Sequence, residues 1–202
     1  MPTDSQVVVE NTSKYNNKSD RHIGAGLSRR VNILVRARTV TNGTIGPSEN
    51  KIKAVMKFPV PKSIKNVQSF LGLTGYFRKF IFQYSLIARP FTNLLKNNVE
   101  FWFGKDEQQA FQNLQFSLSN KPVLKLYKIG AKTELHTDAS KFGSGAILLQ
   151  KDSDNAFHPI YYASGKTTPA EQKYSSYELE VLAIIRALKR FRTYLLGIEF
   201  KI

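Results

Sequence analysis

Two carboxylates bound the chemistry this sequence can carry. The first, Asp138, lies in the stretch TELHTDASKFGSGAILLQ, residues 133–150. Alternating short residues run into the acid, and small, glycine-rich residues follow before an apolar run. A period of two reads as a strand, which puts Asp138 at a strand end just before a turn. The second lies in a long helical pattern. Ser175 and Glu178 have the Ser-x-x-Glu spacing of a capping box, predicting a helix from about Ser176 to Leu196. Ile184, Leu188, Phe191 and Leu195 recur at helical spacing and are expected to form its buried stripe, with Arg186, Lys189 and Arg190 pointing away. Glu178 then has a structural task. Glu180, one turn before Ile184, points towards the sheet and needs a partner or a metal. Two facing carboxylates about 4 Å apart repel by roughly 4 kcal/mol at an effective dielectric of about 20. A divalent cation converts that repulsion into a binding site. The plainer reading is that Glu180 reaches solvent at the helix start and Asp138 merely opens a turn. The residues alone leave both open.

The chain that must position these groups has 202 residues, 42% of them hydrophobic, enough for a sizeable core. It has no cysteine, which excludes disulfides, cysteine zinc sites and a thiol nucleophile. Its three histidines, His22, His136 and His158, are too scattered for a metal cluster. No apolar run approaches membrane-spanning length and no secretory leader is evident, so the expectation is a soluble intracellular protein, cytoplasmic or nuclear, with no membrane partner. The net charge of +15 is uneven: residues 39–125 carry twelve basic and four acidic side chains. That balance favours a polyanionic partner over an ordinary solubilising surface.

Composition divides the chain into three parts. Residues 1–38 are polar and aperiodic and are expected to form a largely disordered arm, with VNILV (31–35) as an isolated strand candidate. Residues 39–125 are expected to be mainly helical. A Gly/Pro-rich link carries a short helical stretch, SENKIKAVMKF. Ser63 is the expected cap of the next helix. Phe70, Leu73, Phe77 and Phe80 make an aromatic stripe that reads as core, while Gly72 and Gly75 signal either close backbone approach or a helix break. Two further helical stretches, LIARPFTNLLKN and KDEQQAFQNLQFSLSN, end at Pro122. Residues 126–202 then present TELHTD, GAILLQ and HPIYYAS as an antiparallel three-stranded meander, followed by the long helix and the start of a fourth strand at GIEFKI. The expected class is α+β.

The ordered series KNVQSFLGLTGYFRKFI, SLIARPFTNLL, QAFQNLQFSL, TDASKFGSGAILLQ, HPIYYAS and YSSYELEVLAIIRALKRFRTYLLG resembles the Pol polyprotein of gypsy-type LTR retrotransposons, over about residues 43–202. The resemblance is to the reverse transcriptase thumb and connection running into an RNase H-like domain. It implies an RNA-directed DNA polymerase and hybrid-specific endonuclease in the intact family, with Mg²⁺ held by four carboxylates. Thr-Asp-Ala-Ser maps the first onto Asp138, and ELEVLAI maps the second onto Glu180, both as catalytic and metal-binding residues. The expected partner is RNA–DNA hybrid or another nucleic acid. Lys62, Lys65, Arg78, Lys79 and Arg89 are the candidates for its phosphate backbone. Departures from the family pattern are equally specific. There is no adjacent Asp-Asp pair for polymerisation, and beyond Glu180 the sole acid is Glu199. The expectation is therefore a truncated product whose RNase H-like domain is incomplete. The alternative is a non-catalytic or domesticated nucleic-acid-binding protein.

Overall fold

The computed structural model describes residues 38–97, 99–120 and 122–202. The expected arm up to residue 37, with its strand candidate, lies outside the described residues. Residues 37–202 form one compact unit.

The unit opens with a hairpin inside the stretch expected to be a Gly/Pro-rich link. Strands β1 (Arg38–Thr41) and β2 (Thr44–Pro47) pair antiparallel around Asn42 and Gly43. Both turn residues have positive φ, 48° and 71°. An Asn-Gly pair adopts that left-handed geometry at little cost, and it matches the twist of the flanking strands. The short β3 (Leu124–Lys125) joins the far edge of β2, giving the sheet order β1-β2-β3.

The helices between β2 and β3 build an aromatic core. Helix α1 (Glu49–Met56) falls within the expected stretch. Helix α2 (Ile64–Gly75) is capped by Ser63, whose Oγ accepts the Asn66 N–H at 3.3 Å. It ends at Gly75, and a Cβ at Gly72 would meet no atom within 4 Å. Gly75 therefore marks the helix end, whereas Gly72 lies inside the unbroken helix with open space beside it, so neither expectation applies there. Phe77 and Phe80 lie beyond the helix, in and before a 3-10 turn (Arg78–Phe80), yet both are buried. Short helices α3 (Tyr84–Ile87) and α4 (Arg89–Leu94) and the longer α5 (Lys105–Ser119) complete the layer. The fully buried Phe70 packs against the rings of Phe58, Phe91 and Phe111 at 5.2, 5.5 and 4.7 Å between centroids. Such tilted aromatic contacts add about 0.5–1.5 kcal/mol each beyond area burial.

The second sheet is the expected meander. Strands β4 (Thr133–Ser140), β5 (Gly143–Lys151) and β6 (Phe157–Lys166) pair antiparallel in sequence order. Helix α6 (Ser176–Leu195) crosses one face. Strand β7 (Phe200–Lys201) then pairs with β4 in parallel, Thr133 opposite Phe200, so the order is β6-β5-β4-β7. Leu135, Leu148 and Phe191, all fully buried, centre this second core.

The buried stripe of α6 differs from the expected one. It runs Leu179, Ala183, Ala187, Phe191, Leu195, while Ile184 and Leu188 are only half-buried. Alanines at the centre of the face let the helix lie close to the sheet, a choice that apolar periodicity alone does not distinguish. Arg186 and Arg190 do not point away. Arg186 donates to the Lys166 carbonyl, and Arg190 donates to the Tyr161 hydroxyl.

Candidate functional site

Chain direction decides where the two predicted carboxylates go. Strand β4 ends at Ser140, which pairs with Gly143 at the start of β5. Gly143 in turn pairs with Lys166 at the end of β6. A 3-10 turn (Glu171–Lys173) leads from there into α6. Asp138 and the first turns of α6, which hold Glu180, therefore lie at the same end of the sheet.

The helix start is fixed by its cap. Ser175 Oγ accepts the Glu178 N–H at 3.3 Å, and the Glu178 carboxylate accepts the Ser175 N–H at 2.8 Å. The hydrogen bonds that the Glu178 carboxylate accepts from the Ser175 N–H and from the Ser175 hydroxyl hold it below its usual range. Glu178 therefore takes the capping task expected of it. Glu180 precedes Ala183 and Ala187 by three and seven positions, which puts it on the sheet-facing stripe. It is half-buried, and its carboxylate has no partner among the described residues.

Asp138 is exposed, and its Oδ2 accepts a hydrogen bond from Gln83 Nε2 at 3.0 Å. Side chains alternate along β4. Leu135 packs with the α6 core, so residues 133, 135 and 137 face the helix. Asp138 and its partner Gly145 face the other way, where Gln83 and Phe82 cover Gly145. The two carboxylates therefore share one end of the sheet but project from opposite sides of the β4 alternation.

The other acids of this region have separate employment. Glu134 contacts His136 at 3.0 Å. Asp152 pairs with Lys125 and Lys128 at 2.8 and 2.7 Å, and Asp154 contacts His158, all at the β5–β6 turn on the opposite end of the sheet. Glu171 pairs with Arg186. Glu199 immediately precedes β7, whose Phe200 pairs with Thr133. The five residues from Thr133 to Asp138 span roughly 17 Å at about 3.3 Å per residue, so Glu199 lies far from the Asp138 end. Among the described residues no group of three or more His, Asp or Glu side chains is placed to hold a metal ion. Asp138 and Glu180 supply hard oxygen donors of the kind Mg²⁺ takes, two in number.

The five predicted phosphate-contacting residues separate into two groups. Lys62 and Lys65 are exposed at the start of α2. The other three are engaged within the fold. Arg78 donates to the Ser164 carbonyl at 2.9 Å and lies over the Tyr84 ring. Arg89 stacks on Phe142, its guanidinium carbon 3.7 Å from the ring centre. Lys79 sits against the Phe80 and Tyr161 rings at 4.9 and 5.8 Å. Burial, followed by the Arg38 charge, lowers its pKa to about 8. Sequence reasoning missed Gln83, the residue that engages Asp138. It carries no motif, and its left-handed backbone (φ 50°) at the start of α3 is visible only in the folded chain.

The arrangement, a meander crossed by a capped helix that returns a parallel strand beside β4, is that of an RNase H-like domain. A family model described as the RNase H-like domain found in reverse transcriptase matches residues 103–202. The chain is 40% identical over 177 residues to the retrovirus-related Pol polyprotein from transposon 297 of Drosophila melanogaster, covering 87% of this chain and 16% of that protein. It is 38% identical over 149 residues to the transposon Tf2-3 polyprotein of Schizosaccharomyces pombe, covering 74% of this chain and 11% of that protein. Residues 103–202 thus carry the RNase H-like domain found in reverse transcriptase, and the chain's homologues are Pol polyproteins of transposons. The chain spans less than a fifth of the length of these relatives. Its fold is also that of the foamy viral protease–reverse transcriptase in complex with RNA/DNA hybrid (TM-score 0.68, 18% identity, 90% of this chain and 28% of that one). A second foamy viral structure, in complex with double-stranded DNA, gives the same TM-score at 19% identity, covering 86% of this chain and 34% of that one. Among the described residues no helix is long and apolar enough to cross a membrane.

Proposed function

We propose that this chain serves the RNase H-like part of a gypsy-type Pol polyprotein, holding RNA–DNA hybrid at the sheet end that carries Asp138 and Glu180. The observation that carries the reading is topological: the meander and α6 bring both motif carboxylates to one end of the sheet. The foamy viral relatives of this fold were solved with hybrid and with double-stranded DNA, which supports a nucleic acid as the partner. Asp138 and Glu180 are hard oxygen donors of the kind Mg²⁺ takes; they project from opposite sides of the β4 alternation, so holding one ion jointly requires the two side chains to be brought together when hybrid binds. When bound, Mg²⁺ supplies charge stabilisation at a scissile phosphate. Gln83 steadies the Asp138 carboxylate in an acceptor orientation.

Two carboxylates hold one hard cation loosely, whereas the two-metal mechanism needs both ions clamped. The 202-residue polypeptide is therefore expected to bind hybrid and weakly bind Mg²⁺, without cleaving hybrid at a useful rate. The test is a hybrid-cleavage assay with Mg²⁺ and Mn²⁺ beside calorimetric Mg²⁺ titration of the parent, Asp138→Asn and Glu180→Gln. Weak Mg²⁺ binding that both substitutions abolish supports the assignment. Mg²⁺ binding unchanged in both variants would refute it. Robust cleavage by the parent, lost in Asp138→Asn, would show that a further ligand completes the site.

A further inference from the structure

The β6 edge of the second sheet is basic in a way the carboxylate end does not explain. Two arginines from different elements satisfy its outward carbonyls. Arg78 Nη2 reaches Ser164 O at 2.9 Å, and Arg186 Nη1 reaches Lys166 O at 3.3 Å. Beside them lies a cavity of about 220 Å³ lined by Arg78, Arg186, Arg190 and Ser144. The cavity exists because its remaining walls, Tyr162 apart, are small. A Cβ placed on Gly165 would meet no atom within 4 Å, and the helix side is Ala183 and Ala187.

Its charges are poorly balanced. Arg186 pairs with Glu171 at 2.8 Å, but no ion pair among the described residues neutralises Arg78 or Arg190. Arg190 donates to Tyr161 Oη at 2.6 Å and lies over that ring. A guanidinium has five N–H donors, so these bonds leave donors spare on all three. Ser144 is buried, and its hydroxyl has no hydrogen-bond partner among the described residues. Lys79 also lies within 5.8 Å of the Tyr161 ring centre, and the Arg38 charge contributes to lowering its pKa, so cations crowd this edge.

We infer that this cavity is a binding site for a phosphate group. Forked guanidinium donors match phosphate oxygens in pairs, and the serine hydroxyl adds a further donor. The volume is below the ~300–1,000 Å³ of sites that enclose a whole small molecule, so the site takes the group and leaves the rest of its carrier outside. The inference stands apart from the hydrolytic reading, because it uses neither Asp138 nor Glu180.

The experiment titrates ¹⁵N-labelled protein with inorganic phosphate at constant ionic strength, following the arginine Nε–H resonances. The expected result is saturable shifts of Arg78, Arg186 and Arg190. Arg190→Gln should weaken binding about tenfold, the loss of one charge-assisted pair. Gly165→Val fills the cavity without removing a charge and should abolish the shifts while the melting temperature stays close to the parent's. If that variant does not fold, Ser144→Ala combined with Arg190→Gln takes its place. An oligonucleotide lacking terminal phosphates is then added. Displacement of the phosphate identifies a strand's phosphodiester as the natural ligand, and saturable binding undisturbed by the oligonucleotide identifies a small phosphate compound. Shifts that fail to saturate, or that survive Gly165→Val in a folded protein, overturn the inference.

Discussion

At the scale of single residues, the fold redistributes the basic side chains between two tasks. Lys62 and Lys65 are free at the start of α2, so they remain the phosphate contacts proposed for this part of the chain. Each neutralised phosphate contributes about one unit to the log–log salt slope. The double variant Lys62→Gln/Lys65→Gln is expected to reduce the slope of hybrid binding by about 2 without shifting the melting temperature. An unchanged slope in a fluorescence titration across 50–200 mM salt would remove both residues from the interface. Lys79 makes the opposite case. Below about pH 8 it is charged in both the folded and unfolded chain, and its burial costs stability. Between about pH 8 and the ordinary lysine value of 10.5, the folded chain releases the proton while the unfolded chain keeps it. The contribution of Lys79 to stability therefore rises with pH across that window. Lys79→Met should stabilise the protein most at pH 7, with a smaller gain at pH 9.5. Urea midpoints at the two pH values check this, and an equal gain at both would defeat it.

Among the elements, α6 depends on its first turn. It is the one long helix of the second core, and it carries Glu180, Arg186 and Arg190 into place. Its cap satisfies backbone donors reciprocally through Ser175 and Glu178. Replacing an N-cap serine with alanine typically costs about 1 kcal/mol. Ser175→Ala is expected to lower thermal stability by that amount and to fray the turn holding Glu180. Hydrogen exchange should then quicken at residues 178–181 and stay unchanged near Phe191. Uniform quickening along the helix would mean that the cap contributes to global stability only.

At the scale of the molecule, the helical layer and the second sheet meet across Gly143. A Cβ there would stand 2.6 Å from the Gly165 carbonyl oxygen and 2.8 Å from Leu86 Cδ2. Leu86 belongs to α3 and Gly165 to β6, so one methyl group would push on both. Arg89 on Phe142, Arg78 on Ser164, and a hydrogen bond between Lys166 Nζ and Thr92 Oγ1 cross the same boundary. Residues 37–202 are therefore expected to unfold in one cooperative transition. Gly143→Ala should lower its stability by about 1–3 kcal/mol, the usual cost of overpacking. Far-UV and near-UV circular dichroism during urea unfolding test both points. Two separated transitions in the parent would show that the layers fold independently.

Much of this architecture was legible in the chain because it rests on local rules. The Ser175/Glu178 spacing marked the start of α6, Ser63 marked that of α2, and period-two alternation marked the β4–β6 meander, each decided within a few residues of sequence. The β1–β2 hairpin was equally local, announced by Asn42-Gly43. The two-residue β3 was not, because it becomes a strand only where the distant β2 offers an edge. Asp138 and Glu180 could be nominated from their motifs and from helical phase. That they share one sheet end, yet project from opposite sides of the β4 alternation, follows from pairing between residues far apart in the chain. The same holds for the arginines. Sequence supplies their charge, but whether Arg78 and Arg89 meet a phosphate or an internal partner depends on the carbonyls and rings that tertiary packing brings beside them. Net charge is fixed by composition alone, whereas its availability is fixed by long-range contacts.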